Sequence, residues 1–140
     1  MIDTLIAALK SRLATELPAT HLQLAQATHF LGQFADPDYL RFLSVANGAE
    51  GDLGDFGYIQ LWGAHELEEL NEAYATAEFL TDTVLIGSDG GGEAFGFSTR
   101  GGDSVVIMVP FIPMEDSEAR VIASSFVDLL KKVVGEVELS

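Results

Sequence analysis

Apolar residues recur at spacings of three and four through the start of the chain, at Ile2, Leu5, Ile6, Leu9, Leu13 and Leu17. That periodicity predicts an amphipathic helix over 2–17, starting from Asp3 or Thr4 and stopped by Pro18. A looser version of the pattern, with Leu22, Leu24, Ala25, Ala27, Thr28, Leu31 and Phe34 on one face, predicts a second helix over 20–34. Asp36-Pro37 then places a capping acid before a proline at the first helical position. Tyr39, Leu40, Leu43 and Ala46 continue that helix to Asn47-Gly48, a pair that tolerates the left-handed conformation. Residues 49–57, rich in Gly and Asp, read as a solvated loop.

The period then shortens. Tyr58 to Trp62 is a short β-prone run, with Trp62 expected in the core. Residues 64–77 return to helical spacing, with Leu67, Leu70, Tyr74 and Ala77 inward and Glu66, Glu68, Glu69 and Glu72 outward. Strands are predicted over 83–87 and 94–98, and a continuous apolar run over 104–109 suits a strand buried on both faces. Pro110 and Pro113 end that run, 114–118 is an acidic loop, and 120–134 carries a helical stripe of Val121, Ile122, Ser125, Phe126, Leu129, Leu130 and Val133. Lys131 and Lys132 would sit at the negative end of this last helix.

Between the strands at 83–87 and 94–98 lies the turn Ser88-Asp89-Gly90-Gly91-Gly92-Glu93. Glycines there permit positive φ or close backbone approach, and Asp89 can accept hydrogen bonds from its own turn amides. A phosphate loop would need a following helix and a cation, whereas this turn runs into a strand and carries Asp89 and Glu93. It is therefore expected to be a structural corner, and Gly91→Val is expected to unfold the domain.

Composition sharpens the picture mainly through charge. The 140 residues hold 22 acids against seven Lys plus Arg, a formal net charge of −15. From Phe42 to Thr99 there is no Lys or Arg, while Glu50, Asp52, Asp55, Glu66, Glu68, Glu69, Glu72, Glu78, Asp82, Asp89 and Glu93 all lie in that stretch. Such a field repels nucleic acid and anionic membranes and either steers a basic partner or serves solubility alone, and composition favours neither reading. The length suits one domain spanning 1–140, and the chain has no cysteine, so disulfides and thiolate chemistry are excluded. No apolar run approaches the length of a membrane span and the N-terminus lacks the bases of a signal peptide, so a cytoplasmic location is expected.

Candidate chemistry is sparse. His21 and His29 have no third ligand near them in sequence, and the spacing of Asp52 and Asp55 does not match a calcium loop, so no metal and no cofactor are expected. Asp89 and Glu93 are the one pair of carboxylates an enzyme reading would use. Ser88 lacks the Gly-x-Ser-x-Gly setting of an activated nucleophile, and His65 stands alone.

Taken in order, Pro37-x-Tyr39-x-x-Phe42-Leu43-x-x-x-Asn47-Gly48, the strand ending Leu61-Trp62, the Glu-Leu helix, Ile86-Gly87-Ser88-Asp89-Gly90-Gly91-Gly92 and Ser125-Phe126 resemble the SUKH superfamily, also called Knr/Smi-like domains. The resemblance covers nearly the whole chain. It implies a single α+β domain with a mainly antiparallel sheet packed by helices, and a non-enzymatic role. Many bacterial members are immunity proteins that bind and neutralise a cognate toxin, often a nuclease. Others serve as general intracellular interaction or scaffold modules. The resemblance assigns Trp62, Asp89, Gly90, Gly91 and Gly92 to the fold and carries over no toxin contact. Asp36 departs from the apolar residue usual before that proline, so the helix start is expected to differ locally.

For a toxin-binding protein, the acids most available to a basic partner are those of the 50–55 loop, the 66–72 helix and the 115–118 loop. They are Glu50, Asp52, Asp55, Glu66, Glu69, Glu72, Glu115, Asp116 and Glu118. A nuclease must display Lys and Arg to hold phosphates, and an acidic surface competes for those groups. The gene neighbourhood separates this role from a scaffold, because a scaffold needs no adjacent toxin.

Overall fold

A computed structural model describes residues 1–139. One sheet organises the chain. Seven strands, β1 (Ala14–Thr15), β2 (Ala49–Asp52), β3 (Tyr58–Leu61), β4 (Thr83–Ser88), β5 (Glu93–Ser98), β6 (Val105–Pro110) and β7 (Arg120–Ala123), lie in sequence order, each antiparallel to the next. The fold is the expected α+β domain with an antiparallel sheet.

Among the described residues, six α-helices, α1 (Ile2–Lys10), α2 (His21–Leu31), α3 (Pro37–Val45), α4 (Leu67–Ala73), α5 (Thr76–Phe79) and α6 (Phe126–Leu139), and four short 3-10 turns complete it. Cross-strand partners share a face, so the register places Val84, Phe97 and Val106 on one side of the sheet, together with Phe95 and Met108. Tyr39 of α3 and Phe126 of α6 meet Phe97 edge-on there, with Tyr39 5.2 Å from Phe97 and 5.1 Å from Phe126 between ring centres. Phe42 joins the same group against Phe126. Tyr39, Phe42, Phe95 and Phe126 are among the largest fully buried side chains, and they form the centre of the core.

Several predicted elements hold. Asp36 caps α3 by accepting from the Tyr39 N–H, with Pro37 at the first helical position as predicted. Thr20 and Gln23 form a reciprocal capping box at the start of α2. The hairpin of β4 and β5 closes on the glycine turn, where Asp89 Oδ1 accepts from the N–H groups of Gly91 and Glu93 at 2.9 and 3.1 Å.

Other elements differ, each for a local reason. The first helix ends at Lys10 rather than at residue 17, because Ala14 and Thr15 pair with Glu50 and Ala49 to start the sheet. Leu17 therefore leaves the predicted apolar face and is exposed. The supposed loop at 49–57 is β2 followed by a short 3-10 turn, since Ala49 to Asp52 find ladder partners in Leu61 to Tyr58. The helix predicted over 64–77 breaks at Ala75, which adopts a left-handed φ of 54°, and Tyr74 and Ala77 turn outward. The last helix starts only at Phe126. Arg120 to Ala123 form the seventh strand instead, where β-branched Val121 and Ile122 suit the edge of β6. Lys131 and Lys132 consequently fall mid-helix, and Lys132 donates to Ile122 O and pairs with Asp128.

The demand on the turn glycines also moves. Gly90 has φ 76° and lies under the Tyr58 ring, whereas Gly91 has no positive φ and is exposed. The expectation that Gly91→Val unfolds the domain is corrected accordingly, since the strain belongs to Gly90.

A candidate partner-binding surface

The first acidic group is built on β2 and the turn after it. Glu50 shares a sheet face with Gln60 and, through Gln60, with Ser88. The Tyr58 hydroxyl donates to Glu50 Oε2, and this bond to a carboxylate pushes the phenol pKa up. The Tyr58 ring packs on Gly90, which ties this acid to the glycine turn. Asp52 and Asp55 are exposed, and Asp52 Oδ1 accepts from Gly54 N–H.

The second group follows β3. Glu66 Oε1 accepts from Gly63 N–H at 3.0 Å and so holds the start of the α4 segment, while Glu69 and Glu72 project from α4 and are exposed. Trp62 is buried at the end of β3, as expected, and its ring stacks on Tyr74, which meets Phe111 at 4.6 Å between centres. Tyr74, which follows α4, is 40% exposed, and Ile112, next to Phe111 in the chain, is 92% exposed.

The third group divides. Glu115 and Glu118 are exposed. Asp116 is held, because Oδ1 accepts from Thr81 N–H at 2.9 Å, Oδ2 accepts from the Thr81 hydroxyl at 2.7 Å, and Arg100 lies 3.8 Å away. Hydrogen bonds from Thr81 hold its carboxyl below the usual carboxylate value. Its role is to pin the β6–β7 connection to the chain just before β4.

The bases are distributed differently from the acids. The ion pairs among the described residues are Arg41–Asp3, Arg100–Asp116, Arg120–Glu93 and Lys132–Asp128. Arg120 enters the base-free stretch from β7 and grips Glu93 with two hydrogen bonds of 2.6 and 3.0 Å. Asp89 and Glu93 are thus occupied by the turn and by Arg120. Among the described residues, Glu50, Asp52, Asp55, Glu66, Glu69, Glu72, Glu115 and Glu118 form no ion pair.

Some contributors had no signal in the sequence. The positive φ that the Asn47-Gly48 pair tolerates falls on Gly48 (111°), just past α3, and Asn47 has a further role: its Oδ1 accepts from Ala64 N–H at 2.6 Å and its Nδ2 lies 3.2 Å from His65 Nδ1, joining the end of α3 to the start of the α4 segment. Asn71 and Thr76 are buried polar residues on a segment whose pattern reads as an ordinary amphipathic helix. Among the described residues, no group of three or more His, Asp or Glu is placed to hold a metal ion, and no helix is long and apolar enough to cross a membrane.

The meander sheet with α3 and α6 on one face, and the glycine turn beneath Tyr58, are the setting for the family comparison. The model of the SMI1/KNR4 family (SUKH-1) matches residues 6–132. The chain belongs to this family. The comparison with curated proteins gives no match.

Proposed function

We propose that this protein is a non-enzymatic immunity protein, acting in the cytoplasm, that binds and neutralises a cognate protein toxin through its acidic surface. A basic nuclease is the partner whose chemistry fits best. The observation that carries the reading is the set of acids without an internal counter-ion, from Glu50 to Glu72 and at Glu115 and Glu118, in a chain of net charge −15. Internal ion pairs spend Asp3, Glu93, Asp116 and Asp128, so the remaining field is directed outward. The exposed Tyr74 after α4 and Ile112 after β6 add apolar surface that a purely electrostatic encounter lacks.

The test is calorimetric titration of the protein with the nuclease domain encoded beside it, at low and at high salt, with nuclease activity followed in parallel. The expected result is a complex that abolishes cleavage and weakens as salt rises. Charge reversal at Glu69 and Glu72 should weaken it by about tenfold or more without lowering the melting temperature. Absence of a complex with any neighbouring toxin overturns the proposal.

A further inference from the structure

The β2–β3 turn, the glycine turn and the end of β6 meet at one end of the sheet. Asp52 pairs with Tyr58 at the ends of β2 and β3, the Tyr58 ring lies against Gly90, and Gly92 O accepts from Phe111 N–H at 2.8 Å just past β6. Phe111 ties two more side chains to the turn, because Ile112 follows it in the chain and the Tyr74 ring packs against it. Tyr58, Tyr74 and Ile112 are three of the exposed large hydrophobic residues of the protein. Asp52 and Asp55, in the β2–β3 turn, are exposed and form no ion pair among the described residues.

Gly91 and Gly92 supply the independent observation, because the chain itself does not require glycine there. Neither has a positive φ, and both are exposed. A Cβ at Gly92 would meet no heavy atom within 4 Å, and one at Gly91 only Asp89 Oδ1 at 3.5 Å, an ordinary contact. Gly90 alone takes the left-handed φ and the close approach of Tyr58. Glycine loses more conformational freedom on folding than any other residue, so two further glycines cost the fold without returning a contact or a conformation. Their bare backbone serves an approach from outside, since no side chain stands between it and a partner's chain.

We propose that this end of the sheet is where the toxin sits, with a basic face of the toxin laid across the glycine turn. The inference rests on the immunity reading above and adds the place of contact. Tyr58 at Gly90 and Ile112 near Gly92 supply apolar contact at the two ends of the turn, and tyrosine is among the residues that anchor interfaces. The bond from the Tyr58 hydroxyl to Glu50 holds that ring in place before the partner arrives. Asp52 and Asp55 face the Lys and Arg side chains of the partner. Asp116 is tied to Thr81, before the start of β4 and so at the opposite end of that strand from the turn. Its neighbours Glu115 and Glu118 therefore act on the encounter through their field rather than in the contact.

The test uses the nuclease domain encoded beside this protein, titrated calorimetrically against three variants and followed by amide NMR of the isotope-labelled parent. Gly91→Gln/Gly92→Gln puts two neutral side chains on the turn without an internal clash, and Ile112→Gln removes an apolar contact. Leu22→Gln, which changes an exposed leucine at the start of α2, is the control. All three should melt no lower than the parent. The double glycine variant should weaken the complex about tenfold or more, Ile112→Gln about fivefold or more, and Leu22→Gln less than about twofold. The amides of Gly90, Gly91, Gly92 and Ile112 should shift on binding. Parent affinity in the double glycine variant, a lowered melting temperature in it, equal weakening by Leu22→Gln, or shifts confined to α4 and residues 115–118 overturn the inference while the immunity reading stands. Absence of any complex with the parent overturns both.

Discussion

The carboxamide of Asn71 closes on both backbone groups of Leu85, with Nδ2 donating to Leu85 O at 2.9 Å and Oδ1 accepting from Leu85 N–H at 2.8 Å. β3 pairs with β4 only at Gln60–Ser88 and Leu61–Gly87, after which Trp62 N–H reaches Ile86 O and the chain turns away. Leu85 would be left without a strand neighbour on that side. A helix side chain takes the place of the missing strand, and the sheet is sealed without another residue of ladder.

Asn71→Leu should therefore be costly although it adds an apolar group to a buried position. It strands one buried N–H and one buried C=O, each worth about 1–3 kcal/mol, for a loss of about 2–6 kcal/mol. The urea midpoint of the variant measures it, and a midpoint equal to the parent's refutes the seal.

Gly90 and Gly91 should respond to different degrees. A Cβ at Gly90 would lie 2.5 Å from the Tyr58 ring on a backbone of φ 76°, whereas a Cβ at Gly91 meets nothing closer than Asp89 Oδ1 at 3.5 Å. Gly90→Ala should cost about 1–2 kcal/mol and Gly91→Ala less than about 0.5 kcal/mol. Thermal melts of the two variants give the comparison, and equal losses would mean that Tyr58 and the turn yield together.

Tyr39 packs its ring against Phe97 and Phe126 while its hydroxyl, fully buried, has no partner among the described residues. Burial pushes the phenol pKa up. Tyr39→Phe keeps the ring and removes the orphan, so stability should be unchanged or rise by about 1 kcal/mol. A clear loss in chemical denaturation would reveal a partner for the hydroxyl.

Asp116 sets an acid limit on the fold. Its folded pKa lies below the ordinary value of 3.8, so its contribution to stability is present above that value and is lost as pH falls through the lower folded pKa. The loss belongs to the region below about pH 4. Asp116→Asn should reduce stability at neutral pH and lose less between about pH 4 and pH 2 than the parent does. Denaturation midpoints across that range decide it, and parallel pH profiles for the two proteins exclude the linkage.

Much of the core was legible because its signals are local. Asp36-Pro37 begins a helix through bonds within one turn, and Asp89 folds the glycine corner with its own amides. The misread segments depend on distant partners. Thr15 is a strand residue only because Ala49 lies beside it, and Arg120 to Ala123 leave helical geometry because β6 offers an unpaired edge. Among the candidate acids, exposure at α4 followed from periodicity. The fate of Asp116 did not, because Thr81 and Arg100, which hold it, are 35 and 16 residues away in the chain. Asn71 and Thr76 were invisible for a related reason: a polar residue within a helical pattern carries no mark of what it will face.

Sequence order and spatial order coincide in this sheet, and that arrangement bears on how such a domain can diversify. The candidate acids sit on β2 near the sheet edge or in the connections after β2, β3 and β6, while β4 and β5, joined by the glycine turn, contribute none of them. Each connection closes a hairpin or, after β3, a helical excursion between adjacent strands, so it can change length or charge without rethreading the chain. A lineage can thus rewrite one loop at a time while Tyr39, Phe95, Phe97 and Phe126 continue to specify the same core.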